Sequence, residues 1–330
     1  MKKYNVAVVG ATGLVGTTFL QVLEEYDFPI NNLKLLASAR SAGNKVLFKG
    51  IEYTVEELTE ESFENVELAL FSAGGDVSKK FAPIAVKAGA RVIDNSSAWR
   101  NEPEIPLIVP EVNLEDYTLN KLIANPNCST IQAIIPLKAL DDKYGLKRVV
   151  YSTYQAVSGS GMKGKNDLIN TLNGLEPQFY PHNISQTCIP EIDVFLENGY
   201  TKEEMKMVNE TRKMLHKPNL LISATCVRVP VLNSHSVSVM CELENEFDLE
   251  EVKTILANYP GIKLADDPKN HVYPTSTLAN GTDLVYVGRV RRDLSCQNGL
   301  MLYCAADNIR KGAASNAVQI ALALAKNDLI

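Results

Sequence analysis

The apolar run Asn5-Val6-Ala7-Val8-Val9 passes directly into Gly10-Ala11-Thr12-Gly13-Leu14-Val15-Gly16, and an amphipathic stretch follows to about Tyr26. A continuous apolar run of this length reads as a strand buried on both faces of a parallel sheet. Glycine at every third position of the next turn permits a tight bend and close approach of a pyrophosphate to the start of a helix. The alternation continues, with strands expected at residues 33–37, 68–72, 91–93 and 122–124 and helical stretches such as 77–87 between them. Such alternation specifies an α/β fold, a Rossmann-type doubly wound parallel sheet.

From about Leu146 the pattern changes. Residues 148–154, 222–229, 236–242, 285–291 and 300–305 read as strands with fewer helices between them. We expect an α+β second domain with a mostly antiparallel sheet, one face of it available to helices or to another subunit. An Ala-, Ile- and Leu-rich helix over 311–325 is placed to return to the first domain. The expected boundaries are 1–127, completed by 310–330, and 128–309.

The 330 residues suffice for two cored domains, and a net charge of −6 argues against nucleic acid or an anionic membrane as partner. No apolar stretch is long enough for a transmembrane helix, and Met1 to Asn5 leads into a strand rather than a signal peptide, so a cytosolic protein is expected. Six cysteines, at 128, 188, 226, 241, 296 and 304, have no paired spacing; no zinc or other metal site and no disulfide framework is expected.

The second strand ends in Ala37-Ser38-Ala39-Arg40-Ser41, where an NAD enzyme would usually place an acid for the ribose hydroxyls. An arginine flanked by hydroxyls suits a 2′-phosphate, so NADP is the expected cofactor, against a solvated loop arginine as the plainer reading. Ser72-Ala73-Gly74-Gly75 makes another small-residue turn on the ligand-binding edge, or an ordinary connection.

In Asn125-Pro126-Asn127-Cys128-Ser129-Thr130, a cysteine lies between an apolar strand and the start of a helix. Backbone N–H groups and the helix dipole favour the thiolate there, and the same N–H groups could receive an oxyanion. A cysteine nucleophile beside a nicotinamide implies aldehyde or acyl chemistry, which calls for an acid/base and a grip on the substrate's charges. His235, just ahead of an alternating strand, is the candidate acid/base; His182, His216 and His271 look exposed. Arg228 sits between apolar neighbours and needs a partner, either a substrate carboxylate or an internal salt bridge. Glu203 and Lys206 share a helix face, and Arg100 is a possible anion ligand; each has an ordinary solvated reading too.

Taken in order, these motifs resemble those of aspartate-β-semialdehyde dehydrogenases from end to end. The resemblance is carried by residues 10–16, Ser38 to Ser41, Asp94 to Arg100, Asn125 to Thr130, Tyr154 to Gly161, Glu203 to Lys206, Arg228 to Pro230 with His235-Ser236, and Asp307 to Gly312. It implies Cys128 as the acylated nucleophile, His235 as acid/base, Gln155 orienting the thioester, and Asn127 helping to hold the reacting or phosphate oxygens. Arg228 would clamp the substrate α-carboxylate, Glu203 the α-ammonium, and Arg100 and Lys206 phosphate, with Ser158 also at the substrate. Gly10, Thr12, Gly13, Leu14, Val15 and Gly16 would cradle the pyrophosphate, and Ser38, Arg40 and Ser41 the 2′-phosphate. Ser72, Ala73, Gly74, Ser158, Gly159 and Asn308 would complete the cofactor site.

The implied reaction converts L-aspartate 4-semialdehyde, phosphate and NADP⁺ to L-4-aspartyl phosphate and NADPH, reversibly, on the route to lysine, threonine and methionine. The implied assembly is a homodimer through the second domain, with a tetramer also open. Asp76 stands where a small hydroxyl residue is expected, and the segment between Thr187 and Tyr200 is compact, without room for a large helical insertion. The rival readings are an N-acetyl-γ-glutamyl-phosphate reductase, whose substrate has no α-ammonium for Glu203, and a non-catalytic dinucleotide-binding relative.

Overall fold

The computed structural model describes residues 2–117 and 120–330. The chain splits into two compact units, Met1–Pro126 with Ala313–Ile330, and Asn127–Gly312.

In chain order the first unit runs β1 (Tyr4–Val9), α1 (Leu14–Glu25), β2 (Ile30–Ala37), β3 (Lys45–Phe48), β4 (Ile51–Thr54), β5 (Glu56–Glu57), β6 (Leu68–Phe71), α2 (Gly75–Lys87), β7 (Arg91–Asp94), a short α3 (Pro110–Asn113) and β8 (Leu122–Ala124). The second follows with α4 (Cys128–Tyr144), β9 (Leu146–Gln155), α5 (Gly161–Leu172), α6 (Lys202–Met214), β10 (Leu221–Arg228), β11 (His235–Leu243), α7 (Leu249–Asn258), β12 (Ile262–Leu264), α8 (Ser276–Ala279), β13 (Val285–Arg292) and β14 (Gly299–Ala306). A π-helical turn, Arg310–Ala314, then opens into α9 (Ser315–Lys326), which belongs to the first unit. The last helix thus begins later than the sequence suggests, because the residues from Arg310 are spent on that wider turn.

The first unit holds a six-stranded sheet in the order β5-β2-β1-β6-β7-β8, every pairing parallel. The order reverses between β1 and β6, and ligands of such sheets bind beyond the carboxyl ends of the strands at that reversal. Its core joins Val6, Val8, Phe19 and Leu23 to Ala317, Val318, Ile320 and Leu324 of α9. The sequence reading missed the β3–β4 hairpin. It closes on Lys49 and Gly50, both with positive φ, a two-residue turn whose twist matches its strands even without the usual Asn-Gly.

The second sheet runs β10-β9-β11-β14-β13-β12. Its three inner pairings are antiparallel and its two edge pairings, β10 with β9 and β12 with β13, are parallel. It is therefore a mixed sheet with an antiparallel centre. Along β11, Val237, Val239, Cys241 and Leu243 are buried while Ser238, Met240 and Glu242 are half-exposed, the period-two signature of a sheet covered on one face. Among the described residues no helix is long and apolar enough to cross a membrane.

Candidate active site

Sheet register assembles the second unit's polar cluster. Gln155 ends β9, Arg228 ends its parallel neighbour β10 as the register partner of Gln155, and His235 opens β11 on the other side of β9. Three adjacent strands thus deliver three side chains to one end of the sheet. All three are buried.

Ala156, one residue past β9, binds two of them through its own peptide groups. Its N–H donates to His235 Nδ1 at 2.9 Å, and its carbonyl accepts from Arg228 Nη1 at 2.7 Å. Gly159 shows how close the two side chains lie, since a methyl group placed there would come within 2.9 Å of Arg228 Nη1 and 3.1 Å of His235 Nε2. Burial, and next the Arg228 charge, hold the His235 imidazole well below its ordinary value, so it is neutral.

Cys128 is half-buried in the first turn of α4. Asn127 caps that helix, its Oδ1 accepting from the N–H groups of Ser129 at 2.9 Å and Thr130 at 3.3 Å. The Ile131 N–H donates to the Asn127 carbonyl at 2.9 Å. The dipole is in place, and these three amides donate to Asn127. On the far side, a methyl on Gly312 would lie 2.8 Å from the Cys128 Cβ, so only glycine lets the turn after β14 pack against the cysteine.

Helix α6 holds Asn127 from below. Thr201 and Glu204 form a capping box at its start, and Glu204 Oε1 also accepts from the Cys226 N–H at 3.0 Å, fastening the helix to β10. Glu203 and Glu210, seven residues apart on one face, reach the same residue: Glu210 Oε2 accepts from the Asn127 N–H at 2.7 Å, and Glu203 Oε1 from Asn127 Nδ2 at 2.9 Å. Gln155 Nε2 donates to the same Glu203 oxygen at 3.3 Å. Lys206 Nζ lies 2.9 Å from Glu203 Oε2 and 2.9 Å from Asp193 Oδ2. Burial would raise the Glu203 carboxyl, but Lys206, Asn127 and Arg228 outweigh it and hold the group below its ordinary value, ionised. Glu203 and Lys206 are accordingly a largely buried pair, not the solvated one that their spacing alone allows.

Asn308 Oδ1 accepts from Ser158 Oγ at 3.0 Å and from the Ser234 N–H at 2.9 Å, which turns its amide nitrogen away from both. That nitrogen, His235 Nε2 and Arg228 Nε are buried donors with no protein partner. His182, His216 and His271 are exposed, and the Cys226, Cys241 and Cys304 thiols are core residues pushed up by burial. Among the described residues no group of His, Cys, Asp and Glu side chains could hold a metal ion.

In the first unit, a cleft of about 540 Å³ is lined by Gly10, Thr12 and Gly13 after β1, Ser38, Arg40 and Ser41 after β2, and Ser72 and Ala73 after β6. The glycine turn fits a dinucleotide phosphate. Gly10 has φ +84°, and a methyl on Gly16 would fall 2.0 Å from the Gly10 oxygen, so the start of α1 rests directly on the strand end. Leu14, Val15 and Gly16 form the first turn of α1 behind that lining, with Val15 packed on the core, and Gly74 is the N-cap of α2. Asp76 is exposed in the first turn of α2, while the cleft wall passes through Ala73 and Val77. Arg100 is buried in this unit, its Nε donating to the Asn125 carbonyl at 2.9 Å and its Nη2 to that of Asn95 at 2.9 Å. Ser158, Gly159 and Asn308, also expected at the cofactor, belong to the second unit.

Two family models match the chain: the semialdehyde dehydrogenase NAD-binding domain over residues 5–119 and the semialdehyde dehydrogenase dimerisation domain over 137–311. The aspartate-semialdehyde dehydrogenase of Aquifex aeolicus is 53% identical, and that of Bacillus subtilis 49%, each alignment covering 99% of both chains. The chain belongs to the aspartate-semialdehyde dehydrogenase family. The crystal structure of aspartate semialdehyde dehydrogenase II from Vibrio cholerae, 46% identical, superposes with a TM-score of 0.95 over 98% of this chain and 99% of that one. A second structure of that protein is complexed with ASA. The Candida albicans enzyme with NADP is 25% identical, with a TM-score of 0.81 over the whole of both chains.

Within this family member, sequence reasoning overlooked Ala156, Glu210, Asp193 and the packing role of Gly312. Glu210 left a trace, an acid seven residues from Glu203 on a helix face that otherwise buries Met207 and Val208. Ala156 left none, because its contribution is entirely backbone.

Proposed function

We propose that the chain catalyses the reversible, phosphate-dependent oxidation of L-aspartate 4-semialdehyde to L-4-aspartyl phosphate with NADP, supplying lysine, threonine and methionine synthesis in the reductive direction. The observation that carries this reading is the buried hydrogen-bonded chain from the Asn127 cap through Glu203, Gln155 and Ala156 to Arg228 and His235. It places a nucleophile, an ionised carboxylate and a guanidinium in one unit. Such a set suits a small amino acid carrying both an ammonium and a carboxylate.

The Cys128 thiolate, favoured by the α4 dipole, attacks the carbonyl carbon and carries the acyl group as a thioester. Arg228 pairs with the α-carboxylate, Glu203 with the α-ammonium, and Gln155 orients the thioester. Lys206 and Arg100 are the cations for phosphate, which displaces the thiolate from the acyl carbon. His235 faces the reacting carbonyl through Nε2. NADP, when bound, supplies the hydride acceptor; the glycine turn would hold its pyrophosphate, Ser38, Arg40 and Ser41 its 2′-phosphate, and Ser158, Gly159 and Asn308 its nicotinamide end. The NADP complex of the Candida relative and the ASA complex of the Vibrio relative support the choice of cofactor and substrate. The matched dimerisation model supports a homodimer through the second unit.

The test is NADPH formation from aspartate semialdehyde, with and without phosphate, by the wild-type protein and Cys128→Ala. Phosphate-dependent turnover that falls by at least about 10⁴-fold in the variant is expected for loss of a covalent nucleophile. Turnover on N-acetylglutamate semialdehyde alone, or none on either substrate, would overturn the reading.

A further inference from the structure

We propose that the Asp193 carboxylate is a resident competitor for phosphate: it holds the solvent-facing side of the Lys206 ammonium, where a phosphate oxygen would bind, and so sets how tightly the protein keeps that anion. The inference deepens the function proposed above and rests on it for Lys206 as a phosphate cation.

Lys206 Nζ lies 2.9 Å from Glu203 Oε2 and 2.9 Å from Asp193 Oδ2, so two of its three N–H donors go to carboxylates. The two partners differ. The Glu203 side chain is 7% exposed, and its other oxygen accepts from Asn127 Nδ2 at 2.9 Å and Gln155 Nε2 at 3.3 Å. Two amides hold it, and the α-ammonium is its own assignment. The Asp193 side chain is 35% exposed, and its other oxygen accepts from the N–H of the next residue, Val194, at 2.9 Å. An anion arriving from solvent therefore meets Lys206 on the Asp193 side.

The backbone around Asp193 keeps that carboxylate in place. A bridge between Ile189 and Arg228 pins the segment before it, and a bridge between Phe195 and Thr201 pins the segment after it. The Lys202 N–H also donates to the Val194 carbonyl at 2.9 Å. Asp193 has φ +69°, a left-handed conformation in which Asp and Asn are enriched among non-glycine residues. Burial would raise its carboxyl, but Lys206 and the Val194 N–H outweigh burial and hold it below its ordinary value. The Lys206 ammonium is raised by the two acids against its own burial, so both groups are charged.

Lys206 with Glu203 and Asp193 carries one net negative charge, a poor site for a phosphate dianion. With Asp193 turned to solvent, the remaining pair is neutral and the ammonium has an N–H to offer. Phosphate thus binds Lys206 at the expense of the Asp193 contact, and the carboxylate takes the ammonium back as phosphate leaves. The competition weakens phosphate as a substrate in the oxidative direction and hastens its departure as a product in the reductive one.

The experiment measures the phosphate KM for NADPH formation in wild type, Asp193→Asn, Lys206→Ala and the double variant. Asparagine suits the same left-handed backbone and keeps an oxygen for the Val194 N–H, so the loop survives while the charge is lost. The expected result is a phosphate KM lowered by about fivefold in Asp193→Asn, with the KM for aspartate semialdehyde within about twofold of wild type. In the Lys206→Ala background the same substitution should move the phosphate KM by less than about twofold, because no ammonium remains to compete for. A phosphate KM that rises or stays put in Asp193→Asn, or that falls equally with and without Lys206, overturns the proposal. A second readout is the line broadening of inorganic phosphate in ³¹P NMR, which follows binding to the unreacted protein. Tighter binding to Asp193→Asn than to wild type is expected, and equal or weaker binding overturns the proposal. That readout is independent of turnover, so a wild type inactive on aspartate semialdehyde would sink the proposed reaction while leaving the competition for Lys206 to be judged on its own.

Discussion

Two turns in this protein have the same outline, a buried parallel strand followed by a helix, and they finish the helix in opposite ways. After β1 the N-cap of α1 is Gly13, with no side chain to accept from the first amides, and the N-cap of α2 after β6 is likewise glycine, Gly74. After β8 the N-cap of α4 is Asn127, whose oxygen takes two of those amides. A helix that must hold a ligand's phosphate keeps its amides for the ligand. A helix that must steady a nucleophile satisfies its amides internally and contributes its dipole alone. Asn127 is itself held by Glu203 and Glu210, so the cysteine rides on a cap that two carboxylates of α6 fix in place.

The glycine turn is the more brittle of the two. Gly16→Ala puts a methyl 2.0 Å from the Gly10 oxygen and 2.9 Å from the Ala11 Cα, all backbone that cannot swing aside. Overpacking of this kind costs about 1–3 kcal/mol. Because it pushes α1 off the strand end that would bind the pyrophosphate, the expected loss in NADP affinity by calorimetry is about 30-fold or more, with alkylation of Cys128 unchanged. Affinity kept within about twofold would show that the close approach of α1 is packing only.

Asn127→Ala probes the other turn. It removes the cap of α4 and a donor to Glu203, for an expected loss of about 1–2 kcal/mol in urea unfolding. The ionised Glu203 keeps Gln155 and Lys206, so the fold should survive, while kcat falls as the cysteine loses its fixed seat. NADP affinity should stay at its wild-type value. A fall in cofactor affinity as large as that of Gly16→Ala would erase the distinction between the turns.

How much of this was readable beforehand follows the same division. The glycine turn, Arg40 at the end of β2 and Cys128 opening α4 are local signals, in which spacing and residue type alone carry the chemistry. His235 and Arg228 could be singled out as candidates, but their meeting could not, because it depends on β10, β9 and β11 lying side by side with a particular register. That the Ser129 and Thr130 amides would donate to Asn127 follows a local rule, since Asn127 is a strong cap as well as a candidate ligand. Glu210 and Ala156 were out of reach for non-local reasons. A carboxylate that meets a backbone N–H 83 residues away, or a peptide group that donates to an imidazole, leaves no pattern along the chain.

The finest test of the comparison is to give α1 the kind of cap that α4 has. Gly13 sits at φ −80° and ψ 167°, an extended conformation that serine adopts readily, and a Cβ there meets only the Gly10 oxygen at 3.4 Å, an ordinary contact. Gly13→Ser is therefore sterically mild, and its hydroxyl can accept from the first amides of α1. Serine caps exceed glycine by only a few tenths of a kcal/mol, so urea unfolding should shift up by about that amount, near the limit of measurement. The same hydroxyl would compete with the pyrophosphate for those amides, and NADP affinity should drop by roughly tenfold at most, about 1.4 kcal/mol. A gain in stability paired with a loss in affinity would show that leaving α1 uncapped serves the cofactor. A gain in both would mean that the phosphate does not rely on those amides, and that the glycine at 13 is there for the bend alone.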